Sequence, residues 1–281
     1  MTTHVPSSRG RLGRSRRAGV ATVLPAPATV ADRQLSLPIE PSAPPGADGT
    51  RHRRRVLPGV VHIRGWLAEP VQRALVSEFR RWAVPPAGLR HPRVPRGHLM
   101  SVQSVCLGWH WQPYAYSRTA DDTDGAPVKP LPASIVDLAR SAIADASGSD
   151  HPDAAGYAPD AAIVNLDAPG AHLGLHQDGE EPSAAPVVTI SLGDACVFRL
   201  AGVDRRTGPF TDVELRSGDL LVFGGPNRAG DRAVGLVPRL RTNVDTDEAS
   251  LQHAVHWATR PGASRSWRGR CWGPGGLVGI A

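Results

Sequence analysis

Residues 165–181 read NLDAPGAHLGLHQDGEE, and this stretch decides how the chain is understood. It begins as a strand, turns at Pro169-Gly170 and resumes as a second strand that runs into His176 and Asp178. On an extended strand, side chains two residues apart emerge on one face. His176 and Asp178 have that spacing, so an imidazole and a carboxylate are expected side by side. Together they make two-thirds of the 2-His-1-carboxylate set that binds non-haem Fe(II) and leaves positions open. A lone His-x-Asp is weak evidence, because many chains carry one as a partly exposed polar pair at a strand end.

The flanking sequence supplies an architecture. Short β-forming runs at 161–166, 172–176, 187–192, 195–200, 211–215 and 219–223 are separated by Gly, Pro and Asp turns. Regular short strands of this kind predict an antiparallel barrel or jelly roll. Before them, 60–63 reads as a strand, and 69–82 spaces Val71, Leu75, Phe79 and Trp82 helically before Pro85-Pro86 ends the run. A second helix is expected over 134–146, and 99–117 mixes β-formers with Trp109, Trp111, Tyr114 and Tyr116. The fold class is α+β.

Charge is concentrated at the ends. Of 32 basic residues only Lys129 is lysine, and ten arginines fall within residues 1–55 against Asp32, Glu40 and Asp48. The net charge of +6 therefore belongs to the ends, while 56–228 is slightly acidic. With Pro25, Pro27, Pro38, Pro41, Pro44 and Pro45 interrupting every candidate helix, 1–55 is expected to be a disordered Arg/Pro-rich leader. Such a tail attracts nucleic acid through phosphate neutralisation, although most charge runs are simply solvated. The arginine bias suggests a GC-rich coding sequence and weakens the case that any one Arg was selected for its guanidinium. Cys106, Cys196 and Cys271 are odd in number and without CxxC, which excludes a disulfide scaffold or zinc ribbon. No apolar run approaches a membrane span or a signal h-region. A monomer in the cytoplasm is expected.

Several motifs occur in a fixed order: Asn165-x-x-x-Pro169-Gly170 before His176-x-Asp178, Ala185-Pro186-Val187-Val188 before Ser191-Leu192-Gly193, then Ser217-Gly218-Asp219 before Gly224-Gly225. Upstream stand Met100-Ser101-Val102, Leu107-Gly108-Trp109 and Tyr114-Ala115-Tyr116. In this arrangement residues 56–228 resemble the AlkB family of Fe(II)/2-oxoglutarate-dependent dioxygenases. The resemblance implies a double-stranded β-helix core at 161–228 behind an N-terminal nucleotide-recognition lid and supporting helices at 56–160. It implies Fe(II), 2-oxoglutarate and O2, and oxidative demethylation of alkylated bases in DNA or RNA, preferentially single-stranded. By the same resemblance His176 and Asp178 are iron ligands and catalytic, and Asn165 contacts 2-oxoglutarate. Met100, Trp109, Tyr116, Glu180 and Arg205 then fall on the substrate side, where aromatic faces hold an extruded base. Core packing competes for the tryptophans, most of all for Trp111.

Three positions depart from the pattern. The family tyrosine two residues after the Asn is Asp167 here, an acid beside a dianion; the distal iron His falls on Arg232; and the Arg-x-Asn-x-Thr-x-Arg strand is absent. Residues 229–281 form an atypical tail without Phe, Tyr or Lys, and so abrupt a loss at one residue is what a reading-frame shift produces. His253 or His256 is the candidate substitute ligand there. Two other readings follow: a catalytically impaired relative that only binds nucleic acid, and a small-molecule enzyme of the wider β-helix group. The lid motifs argue against the second.

Overall fold

In the computed structural model the described residues are 52–94, 97–113, 115–147, 156–168, 170–176, 185–202, 209–224, 232–237 and 254–260. The candidates Asp178, Glu180, Arg205 and His253, and the leader before residue 52, lie outside them.

The strands are β1 (Arg53–Leu57), β2 (Val60–Ile63), β3 (Gln103–Leu107), β4 (His110–Gln112), β5 (Ala115–Ser117), β6 (Ala161–Asp167), β7 (Leu173–His176), β8 (Val187–Leu192), β9 (Cys196–Gly202), β10 (Phe210–Leu215), β11 (Leu220–Phe223), β12 (Arg232–Val237) and β13 (Ala254–Arg260). The helices are α1 (Glu69–Ala83) and α2 (Ala133–Ser147). A seven-stranded sheet in the order β1-β2-β11-β8-β13-β6-β3 faces a four-stranded sheet β10-β9-β12-β7, and β4-β5 form a separate hairpin. Paired strands within each sheet run antiparallel, as a jelly roll requires.

Alternation along the large sheet separates two cores. Val105, Leu107, Ala162, Val164, Val188, Ile190, Leu192, Leu220 and Val222 point outward against α1 and α2. The helices answer with Val71, Leu75, Phe79 and Trp82 from α1 and Ile135, Leu138 and Ile143 from α2. The opposite face contributes Val60, Val187, Leu221 and Phe223, which meet Cys196, Phe198, Leu200, Val213 and Leu215 from the small sheet. Helix α1 begins with Pro70 in its first turn, carries Glu69 at its positive end and Arg80 and Arg81 at its negative end, and stops before Pro85. No helix among the described residues is long and apolar enough to cross a membrane.

Two boundaries drawn from composition change. The leader was expected to run to residue 55, yet Arg53–Leu57 forms β1 by pairing with β2. A strand needs only backbone donors and acceptors, and the three arginines remain exposed on that edge. The tail after 228 contributes β12 and β13, both inserted between other strands. The segments RAVGLV and AVHWATR show little of the polar–apolar alternation by which half-buried strands are recognised.

One cation joins the β4-β5 hairpin and the turn after it to β3. Arg90 is 6% exposed. Its Nε donates to both oxygens of Asp122 at 2.8 and 3.0 Å, its Nη1 to the Ser104 carbonyl at 3.0 Å, and its Nη2 to the Trp111 carbonyl. His110 Nε2 lies 2.6 Å from the same Asp122 carboxylate. Lysine offers one compact charge and cannot meet acceptors in these separate directions. Arg90→Lys should therefore lower unfolding free energy by about 3 kcal/mol, the scale of a broken buried ion pair. Urea titration followed by circular dichroism measures it, and a change below about 0.5 kcal/mol, the ordinary surface scale, would show that the hairpin stands without this hub.

Candidate active site

The inner face of the large sheet turns polar at one end. Backbone register aligns Ser104 on β3 with Asn165 on β6, Asn165 with His256 on β13, and His256 with Ser191 on β8. The amide of Ser191 then donates to the Asp219 carbonyl at 3.0 Å. Asn165 Oδ1 accepts a hydrogen bond from Ser104 Oγ at 2.7 Å, which leaves the amide NH2 as its donor end.

Asp219 accepts from His62 Nε2 at 3.0 Å, from the Gly65 amide at 2.8 Å and from the Arg216 amide at 3.0 Å. Burial pushes its carboxyl upward, but these bonds outweigh that and hold it below the ordinary range. Asp219 is thus a structural lock between β2 and the turn into β11. Gly218 sits in that turn at φ 85°, where an added Cβ would come within 2.4 Å of Gln72 Nε2 and 2.9 Å of the Leu67 carbonyl.

Asp167, at the tyrosine position of the family pattern, is 3% exposed. Burial raises its carboxyl to about 7. Cys196, across the interior, is raised to about 12, first by burial and then by the Asp167 charge. Asp167 therefore points into the jelly roll, and when protonated it places no negative charge against a bound dianion.

His176 ends β7. Opposite it, β12 carries an irregularity: Leu236 pairs with Leu173 and Val234 with His176, so three steps on β7 match two on β12. The same two β12 positions pair with Phe198 and Leu200, whose side chains lie in the inter-sheet core. Paired positions share a face, so the bulge brings both Leu173 and His176 to the interior side. His176 Nδ1 lies 2.8 Å from the Gly174 carbonyl. As the donor it fixes the tautomer and leaves Nε2 as the lone-pair nitrogen, the usual state of a ligating histidine. This is the observation that fits His176 to a metal. β7 is described as far as His176, and Asp178, expected on the same strand face, lies outside the described residues. Arg232 begins β12, and among the described residues no group of three His, Cys, Asp or Glu side chains gathers as a metal cluster.

Met100 reaches β7. Ser101 Oγ donates to the His172 carbonyl at 2.9 Å, while the His172 amide lies 3.1 Å from that hydroxyl. A cleft of about 390 Å³ opens there, lined by His98, Leu99, Met100, Ser101, His172 and Gly174. Trp109 stands on the bend between β3 and β4, and Tyr116 pairs with Trp111 across β4-β5. Asn165 and His176 belong to different sheets. Missed by the sequence reading is the group behind the hairpin, in which Cys106 Sγ accepts from the Trp111 amide at 3.4 Å and from Arg90 Nη1 at 3.7 Å. Burial alone would raise the Cys106 thiol, yet His110 and Arg90 hold it below its ordinary value.

Residues 59–260 match the profile of the 2OG-Fe(II) oxygenase superfamily, so the likeness extends past residue 228 to the end of β13. The chain is 35% identical to the alpha-ketoglutarate-dependent dioxygenase AlkB of Salmonella typhimurium over 65% of its own length and 82% of that protein. It is 39% identical to the Escherichia coli protein of the same name, over 48% of this chain and 61% of that one. The DNA N(6)-methyladenine demethylase ALKBH1D of Arabidopsis thaliana is 32% identical over 62% of this chain, which spans only 42% of that relative's length. The solved structure of OsALKBH1 superposes with a TM-score of 0.64 at 28% identity, covering 74% of this chain and 99% of that one.

Asp167 gives stability a defined pH dependence. Its carboxyl is raised by folding, so its favourable share is complete below the ordinary carboxyl range and is lost as pH rises through about 7. A shift of this size is worth about 4 kcal/mol. Between about pH 3.5 and pH 8, wild-type stability should fall by about that much relative to Asp167→Asn, read from paired urea titrations. A constant difference would place the carboxylate in contact with solvent.

Proposed function

The chain belongs to the 2OG-Fe(II) oxygenase superfamily and, within it, to the AlkB family, and from that premise we propose that it removes N-alkyl groups oxidatively from bases of DNA or RNA. The observation that carries the reading is His176, turned to the interior by the β7 bulge with Nδ1 held by the Gly174 carbonyl. His176, with Asp178 two residues on, would hold the iron, and Asn165 would donate its amide NH2 to 2-oxoglutarate. Iron and 2-oxoglutarate held there would supply, with O2, the oxidising chemistry for hydroxylation of an N-alkyl carbon, whose product would release the alkyl group as an aldehyde.

The chain's own residues do the rest. Met100 and the cleft beside β7 receive the strand, and Trp109 and Tyr116 offer faces for an extruded base. Glu180 and Arg205 belong to the same substrate side by family position. A single strand acting on a monomer is the simplest case, because it requires no base pair to be opened. Asp167 in its protonated form leaves the 2-oxoglutarate side free of an opposing charge.

With Arg232 where the family has its distal His, the iron is expected to exchange readily and turnover to be slow. Even changes to residues behind the ligands cost ~10–100-fold in metal affinity, and a missing ligand costs more. Succinate and formaldehyde should form from 2-oxoglutarate and a methylated single-stranded oligonucleotide, rising with added Fe(II) and abolished in His176→Ala. Product formation at the wild-type rate in that variant would overturn the assignment.

A further inference from the structure

Trp109 is held on a bend with little freedom. Gly108 before it has φ 77°, and an added Cβ would meet the Asp160 carbonyl oxygen at 2.1 Å. The Gly108 amide donates to the Lys129 carbonyl at 2.7 Å, and the Trp109 amide to the Leu107 carbonyl at 3.0 Å. Over the indole lies Arg118, its Cζ 3.6 Å from the ring centroid. Arg118 Nη1 donates to the Gly108 carbonyl at 2.7 Å, so the guanidinium is tethered to the backbone of the same bend. Among the described residues no carboxylate forms an ion pair with Arg118. One face of Trp109 is thus covered by a cation with no carboxylate partner among the described residues, so a base stacking on this indole would have to use the opposite face.

We propose that Arg118 sets base specificity, biasing the pocket toward neutral alkylated bases, methylated on an exocyclic nitrogen, over cationic ones methylated on a ring nitrogen. The proposal rests on Trp109 being the stacking platform. An indole attracts a cation through the negative face of its quadrupole, and Arg118 already draws on that density. A cationic base on the opposite face would meet the guanidinium charge across one ring thickness, at about 7 Å, where like charges still repel appreciably in a partly desolvated site. A neutral base stacks through dispersion and overlap and meets no such repulsion. Arg118 therefore lowers affinity for one lesion class and leaves the other largely unchanged.

The test compares binding with no iron present, so that it stands apart from turnover. Full-length wild type, Arg118→Gln, Arg118→Lys and Trp109→Ala are titrated by fluorescence anisotropy, at fixed salt, against single-stranded oligonucleotides carrying one N6-methyladenine, one 1-methyladenine or no modification. Losing the Arg118 charge weakens phosphate attraction equally for all three, and any partial unfolding scales all three alike, so the ratio between lesions isolates the proposed effect. Arg118→Gln should shift that ratio toward the cationic base by roughly 3- to 30-fold, and Arg118→Lys should restore the wild-type ratio. An unchanged ratio in Arg118→Gln, with both lesions weakened in Trp109→Ala, overturns the role of Arg118 and leaves the platform in place. If Trp109→Ala binds both lesions as wild type does, the platform itself is wrong and the proposal falls with it.

Discussion

A guanidinium in the interior has to find an acceptor in each direction its N–H groups point, because leaving one unmet costs the full penalty of desolvation. Arg90 meets this requirement only when four parts of the chain are in place together: its own loop, the carbonyl of Ser104 on β3, the carbonyl of Trp111 on β4, and Asp122 in the turn beyond β5. The hairpin is short and mostly half-exposed, with little apolar area of its own to anchor it. Its orientation, and with it the direction in which Trp109 faces, follows from the geometry of this one cation. Asp122 also receives His110, so one carboxylate inside the protein is shared between a guanidinium and an imidazole.

Sequence periodicity located most of the framework because most elements obey simple rules. Helix α1 has one apolar stripe and a proline-bounded end, and β2, β6 and β8 occur where β-branched runs sit between turn residues. Strands β12 and β13 were obscured because their segments show little polar–apolar alternation, and what places each of them is a backbone ladder with a neighbour on both sides, which leaves no mark in local sequence. Strand β1 was obscured in another way, since its partner β2 supplies the ladder and its side chains need no interior.

The site was legible in proportion to how local its signals are. His176 was singled out by its spacing from Asp178 together with the motifs around it, whereas the bulge between β7 and β12 that turns it inward depends on a strand that follows it by more than fifty residues. Arg90 could not be singled out among arginines that outnumber lysine so heavily; only burial distinguishes it. Ser217-Gly218-Asp219 was read as a family motif, and its content is architectural: a glycine with no room for a Cβ and a carboxylate that accepts two backbone amides and His62. Asp167 looked unfavourable beside a bound dianion from its residue type, and only its burial, which raises the carboxyl to about 7, shows that it carries less charge than an ordinary carboxylate.

The last strand among the described residues lies in the middle of the large sheet. Strand β13 pairs with β6 on one side and β8 on the other, and both precede it by at least sixty residues. During synthesis, β6 and β8 leave the ribosome with facing rows of unmet N–H and C=O groups that no earlier segment satisfies. Closing the sheet must wait for residues 254–260, and the high sequence separation of that pairing slows it. Until then the nascent chain presents two open strand edges over an apolar floor, the state most prone to pairing with a neighbour. The slot between β6 and β8 is therefore filled only by a segment that is made after both of its walls.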